Sequence, residues 1–402
     1  MNILCLSELY YPHGGGAELA TFLHTQLLSQ AGFKIAVVTN KFAGEPAISK
    51  HPNMTVYRFP LFKGTSNVKF SVFSRFDFLL SSFLRKMTKW ADLVYVPRYW
   101  FSGILVAKAF RKPVITHLHD SIPVCPIALL FDEVTNTVCD RRGSCSAKCI
   151  YHFERGKGSN ISRVLGSVAF NLAFLPLYRR MIKLSDALIC TSSEHERILT
   201  SIDGSLRSKL HLIYNPLPET SLVEIKDDAF GYFGGPSSMK GFHVLLQAMK
   251  TLREPSIRVH ATGFAQNRQT ALLLKNQPNI VPFERVKYDE LDDFYKNIRC
   301  VLFPSIVPEP LPYVVAEAMM RGRLLIASDT GGIPEQVEGC QGAFLFETGR
   351  HDQLAQMIRY VHGLSRETAI DLGMKNRDTF LKKFNNKTAS RRFALVAERI
   401  AH

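Results

Sequence analysis

Residues 303–335 have the sequence FPSIVPEPLPYVVAEAMMRGRLLIASDTGGIPE, and this segment decides the predicted fold. Prolines on both sides of Glu309 exclude a helix there, whereas Pro312 is well placed as a first helical residue. From Pro312 onward, apolar residues recur at helical spacing: Val314, Val315, Ala318 and Met319. Gly322 is a typical helix stop and precedes a second apolar run. The segment therefore predicts a strand, a loop with Glu309, a helix with Glu317 and another strand.

Glu309 and Glu317 place two carboxylates at different depths along one wall of this predicted unit. Such an arrangement suits two polar parts of one ligand. The helix N-terminus between them offers N–H groups and a positive dipole end to an anion. The alternative is an acidic residue that balances the helix dipole, together with an unrelated surface glutamate. Both interpretations stay open from the residues alone.

The rest of the chain alternates strand and helix in two series. Apolar strand candidates of the first series are residues 3–6, 35–39, 93–96, 114–117, 187–191 and 212–214. Those of the second series are residues 230–233, 257–261, 280–283, 300–304, 324–327 and 343–346. Helical patterns between them indicate parallel β-α-β units. The predicted fold class is α/β, with two Rossmann-like doubly wound domains that face a central cleft, because such sheets bind ligands at the carboxyl ends of their strands.

The chain has 402 residues, enough for two or three domains. We predict a first domain at residues 1–215, which includes a cysteine-containing segment at 120–152, and a second domain at 216–380. Residues 381–402 are predicted to form a helix that packs back on the first domain.

A second informative segment is GYFGGPSSMKGFHVLLQAMKTL, residues 231–252. We expect a strand that ends at Phe233, a Gly-Gly-Pro turn, and a helix that starts near Met239 after a cap by Ser237 or Ser238. Lys240 would then lie at a helix N-terminus, where a cation is unfavourable unless an anion is bound there. The alternative is a surface lysine that tolerates the position at a cost below about 1 kcal/mol.

Four motifs occur in order along the chain: GGGAE at residues 14–18, Lys240 followed by glycine, Glu309 with Glu317 eight positions later, and TGGIPE at 330–335. Together they resemble the retaining glycosyltransferases of family 4, which have the GT-B architecture, and the resemblance covers nearly the whole chain. It implies a nucleotide-sugar donor held mainly by the second domain. Glu317 would bind the ribose hydroxyls, Glu309 the transferred sugar and Lys240 the diphosphate.

The resemblance also assigns residues around these three. It places His119 and Asp120 near the donor sugar and the acceptor, with His119 catalytic alongside Glu309 and Lys240, and Asp120 on the acceptor side. His117 is then a packed support, although the residues alone favour two histidines paired in a core. Backbone groups complete the expected donor site: Gly15, Gly16, Gly234 and Leu311.

Two positions depart from the family pattern. Gly235 stands where the family usually has an arginine that joins the lysine on the diphosphate, and Pro310 and Pro312 stand where glycine is frequent. Lysine does not replace a bidentate arginine. Either another cation compensates or donor binding is weaker, and the second case leads to an alternative function, a non-catalytic membrane- or anion-binding protein with a degenerate glycosyltransferase fold.

The expected reaction is hexosyl transfer from a UDP- or GDP-sugar to a hydroxyl of a lipid-linked or membrane-presented glycan, as in polysaccharide or glycolipid biosynthesis. No Asp-x-Asp motif is present, so we expect no catalytic metal and no required cofactor. A nicotinamide-dependent enzyme is disfavoured because the G-x-G-x-x-G fingerprint is absent.

The formal net charge is +15, and basic residues concentrate at 63–112 and 155–183. Aromatic residues interleave with them between 63 and 84, which predicts contact with an anionic membrane, or else an ordinary core-facing helix with a basic face. No nucleic-acid-binding signature is present. We also expect no secretory leader and no spanning segment, because the run 164–178 is shorter than about 20 residues. The expected location is cytoplasmic, peripheral on the membrane.

Four of the eight cysteines crowd into one segment: Cys125, Cys139, Cys145 and Cys149. With nearby histidines they could hold a structural zinc ion, although no Cys-x-x-Cys pair is present. Reduced thiols and redox pairing are the alternatives.

Overall fold

The structure is a computed structural model that describes residues 1–64, 75–132, 134–135, 137–139, 147–156 and 158–401. The chain divides into two compact units. Unit 1 consists of Met1–Leu129, Arg141–Pro218 and Phe384–His402, and unit 2 consists of Leu130–Asp140 and Glu219–Lys383. The functional domain boundaries given above stay predictions, and Leu130–Asp140 groups with unit 2 although it lies within the segment expected in the first domain.

The strands of the described residues, in chain order, are β1 (Asn2–Leu6), β2 (Lys34–Asn40), β3 (Ile48–His51), β4 (Met54–Phe59), β5 (Leu93–Val96), β6 (Val114–His117), β7 (Phe131–Asp132), β8 (Thr137–Val138), β9 (Ala187–Cys190), β10 (Leu210–Leu212), β11 (Ala229–Tyr232), β12 (Val259–Thr262), β13 (Ile280–Phe283), β14 (Ile298–Phe303), β15 (Leu324–Ser328) and β16 (Ala343–Phe346).

The helices of the same residues are α1 (Gly16–Gln30), α2 (Phe76–Leu79), α3 (Ser82–Trp90), α4 (Ser102–Ala109), α5 (Ala147–Gly156), α6 (Ile161–Lys183), α7 (Ser193–Ile202), α8 (Phe242–Leu252), α9 (Arg268–Leu274), α10 (Leu291–Tyr295), α11 (Tyr313–Met320), α12 (Ile333–Gln336), α13 (His351–His362), α14 (Arg366–Lys383) and α15 (Asn386–Ala401). Short 3-10 helices cover Gly204–Lys209 and Tyr288–Glu290.

Unit 1 is built on a sheet with the strand order β10–β9–β6–β5–β1–β2–β4–β3. Neighbouring strands are parallel, except that β3 pairs antiparallel with β4 at the edge. Strands β5, β6 and β9 are buried along their whole length, as expected of parallel strands covered on both faces. Helix α15 packs on this unit, because Phe393 and Ala397 share a buried cluster with Ile3 of β1 and Tyr95 of β5.

Unit 2 is built on a parallel sheet with the order β13–β12–β11–β14–β15–β16. Chain order reverses between β11 and β14, which gives the 3-2-1-4-5-6 pattern of a doubly wound sheet. In unit 1 the corresponding reversal lies between β1 and β5. The α/β prediction with two doubly wound sheets is therefore confirmed.

The strand predictions fail in a few places. The strand expected at 212–214 lies two residues earlier, as β10, and the sequence pattern missed β3, β4 and the small β7–β8 ladder. Strand β4, with sequence MTVYRF, is only partly buried because it lies near the sheet edge, so it lacks the continuous apolar run of the central strands.

Helix α6 also differs from expectation. The apolar run at 164–178 is the middle of a 23-residue helix that extends past the run at both ends. An 18-residue window of this helix has a mean hydropathy of 1.4, so by length and composition alone it could cross a membrane, a test that an ordinary helix of a globular protein also passes. The expectation of no spanning segment stays a prediction.

Candidate active site

The reversal point of unit 2 brings two of the predicted donor residues together. Lys240 follows β11 and Glu309 follows β14, and the carboxyl ends of these neighbouring parallel strands meet at one edge of the sheet. Lys240 Nζ lies 2.7 Å from Glu309 Oε1. Ligands of doubly wound sheets bind outside this reversal point. The side chains of Lys240 and Glu309 are still 37% and 20% exposed, so a ligand bound there would contact both.

Glu309 is held by neighbours on both its side chain and its backbone. Ser305 Oγ donates to Glu309 Oε1 over 3.0 Å. The Gly332 N–H donates to the Glu309 carbonyl over 2.9 Å. A side chain at Gly331 would collide with that carbonyl, because a Cβ there would lie 2.3 Å from it. The TGGIPE segment thus supports the Glu309 loop rather than standing apart from it.

Lys240 does not lie inside a helix, which corrects the expectation. Helix α8 begins at Phe242 after Gly241, and neither Ser237 nor Ser238 caps it with a side chain. Gly241 has φ +72° and lies so close to Pro304 that an added Cβ would be 1.7 Å from the Pro304 carbonyl oxygen. The helix therefore starts only after this glycine turn. The charge of Lys240 is met by Glu309, so its position by itself does not require a bound phosphate.

Glu317 is buried in the second turn of α11. Burial raises the pKa of its carboxyl to about 7, opposed by the charge of Arg321 and a hydrogen bond with Tyr288. A buried carboxyl of this kind gains most from a ligand that supplies hydrogen-bond donors. Helix α11 has Pro312 as its N-cap and so has no side-chain cap. Its N-terminal N–H groups, with that of Leu311 just before them, point to the end where Glu309 lies.

Gly234 and Gly235 form the turn after β11. A Cβ at Gly234 would lie 2.2 Å from the Tyr232 hydroxyl, so no side chain fits there. Gly235 has φ +57°, and a Cβ would lie 2.8 Å from the Gly263 carbonyl oxygen. The backbone at 235 is thus closed to the arginine that the family pattern usually places there.

The reversal point of unit 1 contains a charged network that the sequence interpretation missed. Arg98, just after β5, forms ion pairs with Glu18 and, at 3.7 Å from Nε to Oε1, with Glu8. Both carboxylates are buried, and burial raises the pKa of Glu8. A sequence signal existed, since Glu8 and Glu18 flank the glycine loop and Arg98 ends a strand. The pairing itself depends on which strands are neighbours.

The glycine loop is organised by Glu18. Its Oε2 accepts the Gly15 N–H over 2.7 Å, which caps the start of α1. The Glu18 carboxyl carbon also lies 2.4 Å from where a Cβ of Gly14 would be. The group that lies close to the backbone at Gly14 is therefore the side chain of Glu18. The donor contacts expected of Gly15 and Gly16 stay a prediction.

His119 lies at the end of β6, stacked on His117 with ring centroids 3.9 Å apart. His117 is buried and its Nδ1 shares a 2.9 Å hydrogen bond with the Tyr95 hydroxyl. Burial, followed by the charge of Arg98, holds the pKa of His119 well below its usual range, so its imidazole is neutral. It could donate or accept one hydrogen bond but does not supply a positive charge.

Both carboxylate oxygens of Asp120 are engaged within unit 1. Oδ2 accepts from the Tyr99 hydroxyl over 2.5 Å, and Oδ1 accepts the Ile122 N–H over 2.9 Å. These bonds fix the loop after His119. The acceptor-side role expected of Asp120 stays a prediction.

The cysteine segment yields no metal site within the described residues, where no group of three or more His, Cys, Asp or Glu side chains could hold an ion. Of the four clustered cysteines, Cys125 is buried, Cys139 and Cys149 are half-buried, and Cys145 lies outside the described residues. The zinc hypothesis is therefore unsupported.

The basic, aromatic stretch at 63–84 is only partly covered, because residues 65–74 lie outside the described residues. In the described part, α3 buries Leu84 and Thr88 and exposes Arg85 and Lys86. This pattern fits the ordinary core-facing helix of the second interpretation, and the membrane contact of the stretch stays a prediction.

Comparison with known proteins agrees with the geometry. Residues 14–220 match the family model described as Glycosyltransferase Family 4, and residues 221–376 match that of Glycosyl transferases group 1. The chain belongs to glycosyltransferase family 4. The resemblance drawn from GGGAE, Lys240, Glu309 and Glu317 is thereby confirmed.

Two curated proteins are similar to this glycosyltransferase. One is an uncharacterized 42.6 kDa protein in the cps region of Klebsiella pneumoniae, 22% identical over 83% of this chain and 87% of that protein. The other is lipopolysaccharide 1,2-N-acetylglucosaminetransferase of Salmonella typhimurium, 26% identical over 45% of this chain and 52% of that protein. The match thus spans about half the length of this second relative.

Solved structures share the fold. Sucrose-phosphate synthase of Thermosynechococcus elongatus has a TM-score of 0.73 at 15% identity, with 99% of this chain and 98% of that chain covered. HepE of Anabaena in complex with UDP and glucose has a TM-score of 0.67 at 17% identity, with 98% and 99% covered. The predicted GT-B fold class is confirmed.

Proposed function

We propose that this glycosyltransferase is a retaining, metal-independent hexosyltransferase that binds a nucleoside-diphosphate sugar at the reversal point of unit 2. The observation that carries the proposal is the 2.7 Å Lys240–Glu309 pair beside the uncapped end of α11. A cation, a carboxylate and the N–H groups of a helix N-terminus in one place match a diphosphate and a sugar with several hydroxyls.

Each donor part has a matching group. Lys240 and the N–H groups near Leu311 bind the diphosphate, and Glu309 binds hydroxyls of the transferred sugar. Glu317 accepts hydrogen bonds from the two ribose hydroxyls, and these bonds offset the cost of burying its carboxyl. Gly234 keeps the β11 loop free of side chains, and Gly16 offers a backbone N–H, whereas the N–H of Gly15 is already donated to Glu18. UDP-sugars are the first donors to test, because HepE was solved with UDP-glucose, and GDP-sugars are second.

In the proposed reaction, the acceptor hydroxyl attacks the anomeric carbon from the face on which the diphosphate leaves. The bond from that carbon to the diphosphate oxygen breaks, the bond to the acceptor oxygen forms, and the acceptor proton passes to the leaving diphosphate. Lys240 stabilises the charge that develops there. The neutral imidazole of His119 hydrogen-bonds the sugar, with Asp120 holding its loop. Exclusion of water matters because donor hydrolysis competes.

The proposed acceptor is a lipid-linked or membrane-presented glycan. Support comes from the charge of +15 and from the relative named as a lipopolysaccharide transferase. We propose that the protein meets this acceptor as a peripheral protein at the cytoplasmic face of a membrane.

A thermal-shift screen tests donor binding. Wild type, Glu317→Ala and the exposed control Glu367→Gln are heated with UDP, GDP, ADP, their common sugar conjugates and NAD. A ligand at a hundred times its dissociation constant stabilises by about 2.7 kcal/mol. We expect a shift with one nucleoside diphosphate in wild type and control and none in Glu317→Ala. A shift with NAD alone, or with none of these ligands, contradicts the proposal.

Two further measurements test the chemistry. The product anomer, observed by NMR, should keep the configuration of the donor sugar, and the rate should be the same with and without a strong chelator. An inverted product refutes retention, and a rate that needs added divalent metal refutes metal independence. Donor binding without transfer or hydrolysis would favour the non-catalytic alternative, for which Gly235 is the motivating feature.

A further inference from the structure

Helix α6 presents an unusually apolar surface for an outer helix. An 18-residue window of α6 has a mean hydropathy of 1.4, yet only 17% of that window is buried within the structure. Outer helices of globular proteins ordinarily turn charged or polar residues to solvent. Between Val164 and Tyr178, α6 has no charged residue.

The exposed residues form one stripe. Ile161, Leu165 and Leu172 are spaced by four and seven positions, so they share a helix face, and they are 54%, 59% and 48% exposed. Other sides of the helix supply the packing, through residues that are almost fully buried: Val164, Tyr178, Met181 and Ile182. The stripe is thus an apolar surface that no described part of the chain covers. Contiguous exposed apolar surface marks an interaction site.

The way α6 is anchored excludes a role as a spanning segment of the folded protein. Arg179 donates from Nε to the Pro123 carbonyl over 2.7 Å and from Nη2 to the Val124 carbonyl over 3.2 Å. Tyr178 packs edge-on against Phe101, with ring centroids 5.5 Å apart. Insertion across a bilayer would break these contacts, whereas docking flat on a surface keeps them.

Basic side chains lie at both ends of the apolar stripe. Arg155 of α5 precedes it, and Arg180 and Lys183 follow it, all of them exposed. Lipid tails cover apolar side chains, and anionic headgroups attract the basic residues beside them. A second copy of this chain would bring the same positive charges together, which favours a lipid surface as the occupant.

We propose that the face of α6 formed by Ile161, Leu165 and Leu172 is a membrane-docking surface for anionic bilayers. It is distinct from the stretch at 63–84, which the sequence pattern had indicated. The proposal rests on the peripheral membrane location proposed above, for which it names the contact surface, and it does not depend on the donor site of unit 2. Its consequence is that a membrane-presented acceptor meets the enzyme in a fixed orientation.

Vesicle flotation tests the docking surface. The full chain is mixed with vesicles of phosphatidylcholine alone or with phosphatidylglycerol. The variants are Leu165→Glu/Leu172→Glu, the charge variant Arg155→Gln/Arg180→Gln and the control Leu272→Glu/Leu395→Glu, whose two leucines are also exposed on helices. We expect wild type and control to float with anionic vesicles and the leucine variant to stay behind. Each removed arginine should lower binding about fivefold.

Several results overturn the proposal. One is that wild type binds neither vesicle, and another is that the leucine variant binds as well as wild type. A third is that wild type is a dimer without vesicle binding and that the leucine variant is a monomer. The donor-induced thermal shift, measured in each variant, shows whether it is folded and keeps failure of docking separate from failure of the donor site. Leu172→Trp provides a second readout, since its fluorescence should shift to the blue only with anionic vesicles.

Discussion

At the reversal point of unit 2, the side chains of Lys240 and Glu309 are 37% and 20% exposed, whereas at that of unit 1 the carboxylates of Glu8 and Glu18 are 1% and 2% exposed. Both places combine a cation with carboxylates at the carboxyl ends of central parallel strands. In unit 2, Lys240 and Glu309 are accessible, so each can form a new contact with a ligand. In unit 1, Arg98 and Glu18 are already occupied with each other and with the glycine loop. The comparison supports the proposal that the donor binds in unit 2, and it shows that the charged network of unit 1 holds the glycine loop.

The largest expected effect comes from removing the cation of unit 2. Lys240→Ala should lower kcat by about 100- to 1,000-fold, because a positioned charge on the leaving group acts mainly in the transition state. The protein should keep its stability, since a partly exposed ion pair contributes about 1 kcal/mol or less. Nucleoside diphosphate release measures the rate, with Lys250→Ala as an exposed control. A rate within a few-fold of wild type would remove Lys240 from the chemistry.

The converse change in unit 1 should act on stability. Arg98→Met leaves two buried carboxylates without their cation and should cost about 3 kcal/mol of unfolding free energy. The exposed pair of Arg197 with Glu194 provides the control, because Arg197→Met should cost under about 1 kcal/mol. Urea unfolding at neutral pH measures both. Equal, small losses would show that the network of unit 1 does not support its loop.

Glu317 should show opposite effects on stability and binding. Burial raises its pKa to about 7 from an ordinary 4.5, so the folded chain holds a proton that the unfolded chain releases between these values. The contribution of this carboxyl to stability therefore falls as pH rises from 4.5 to 7, by about 3 kcal/mol in all. Glu317→Gln is neutral at every pH. It should gain up to that amount over wild type above pH 7, and it should bind the donor more weakly.

Thermal unfolding across pH 4 to 8, with and without nucleotide, measures both effects of this variant, and the variant Glu398→Gln, at an exposed position of α15, should show neither. A stability difference between Glu317→Gln and wild type that stays constant across the range would show that the carboxyl is not held protonated by burial.

The smallest effect concerns Gly235. Gly235→Arg should not restore a diphosphate clamp, because the positive φ and the nearby Gly263 carbonyl force the turn to move. It should cost about 2 kcal/mol. Gly349→Arg has a similar φ of +85° with open space around it, so it should cost less. Donor affinity and unfolding are measured for both. Tighter donor binding by Gly235→Arg would mean that the turn can accommodate the side chain. It would also mean that the missing arginine limits the donor affinity of the wild type.

Local sequence pattern was sufficient for most of unit 2. The strand ends and prolines placed Glu309 on a loop and Glu317 inside α11, and the β-α-β alternation indicated a parallel sheet, although not the order of its strands. The error at Lys240 was also local, because a glycine in the left-handed conformation delays the start of α8, and only the approach of Pro304 reveals that Gly241 adopts it.

Unit 1 was harder to predict because its important features are non-local. The Glu8–Arg98–Glu18 network joins side chains up to 90 positions apart, and it exists only because β1 and β5 are neighbours. The exposure of α6 is likewise a tertiary property. Its hydropathy suits a core helix equally well, and the sequence does not show which face the rest of unit 1 covers.

Hydrogen exchange of the full chain, with and without saturating UDP or GDP, tests the central claim most directly. The account predicts that the nucleotide slows exchange in residues 233–242 and 305–317 of unit 2, the two segments that contain Lys240, Glu309 and Glu317. Slower exchange confined to the loops of unit 1 at residues 7–18 and 97–100, with unit 2 unchanged, would contradict it.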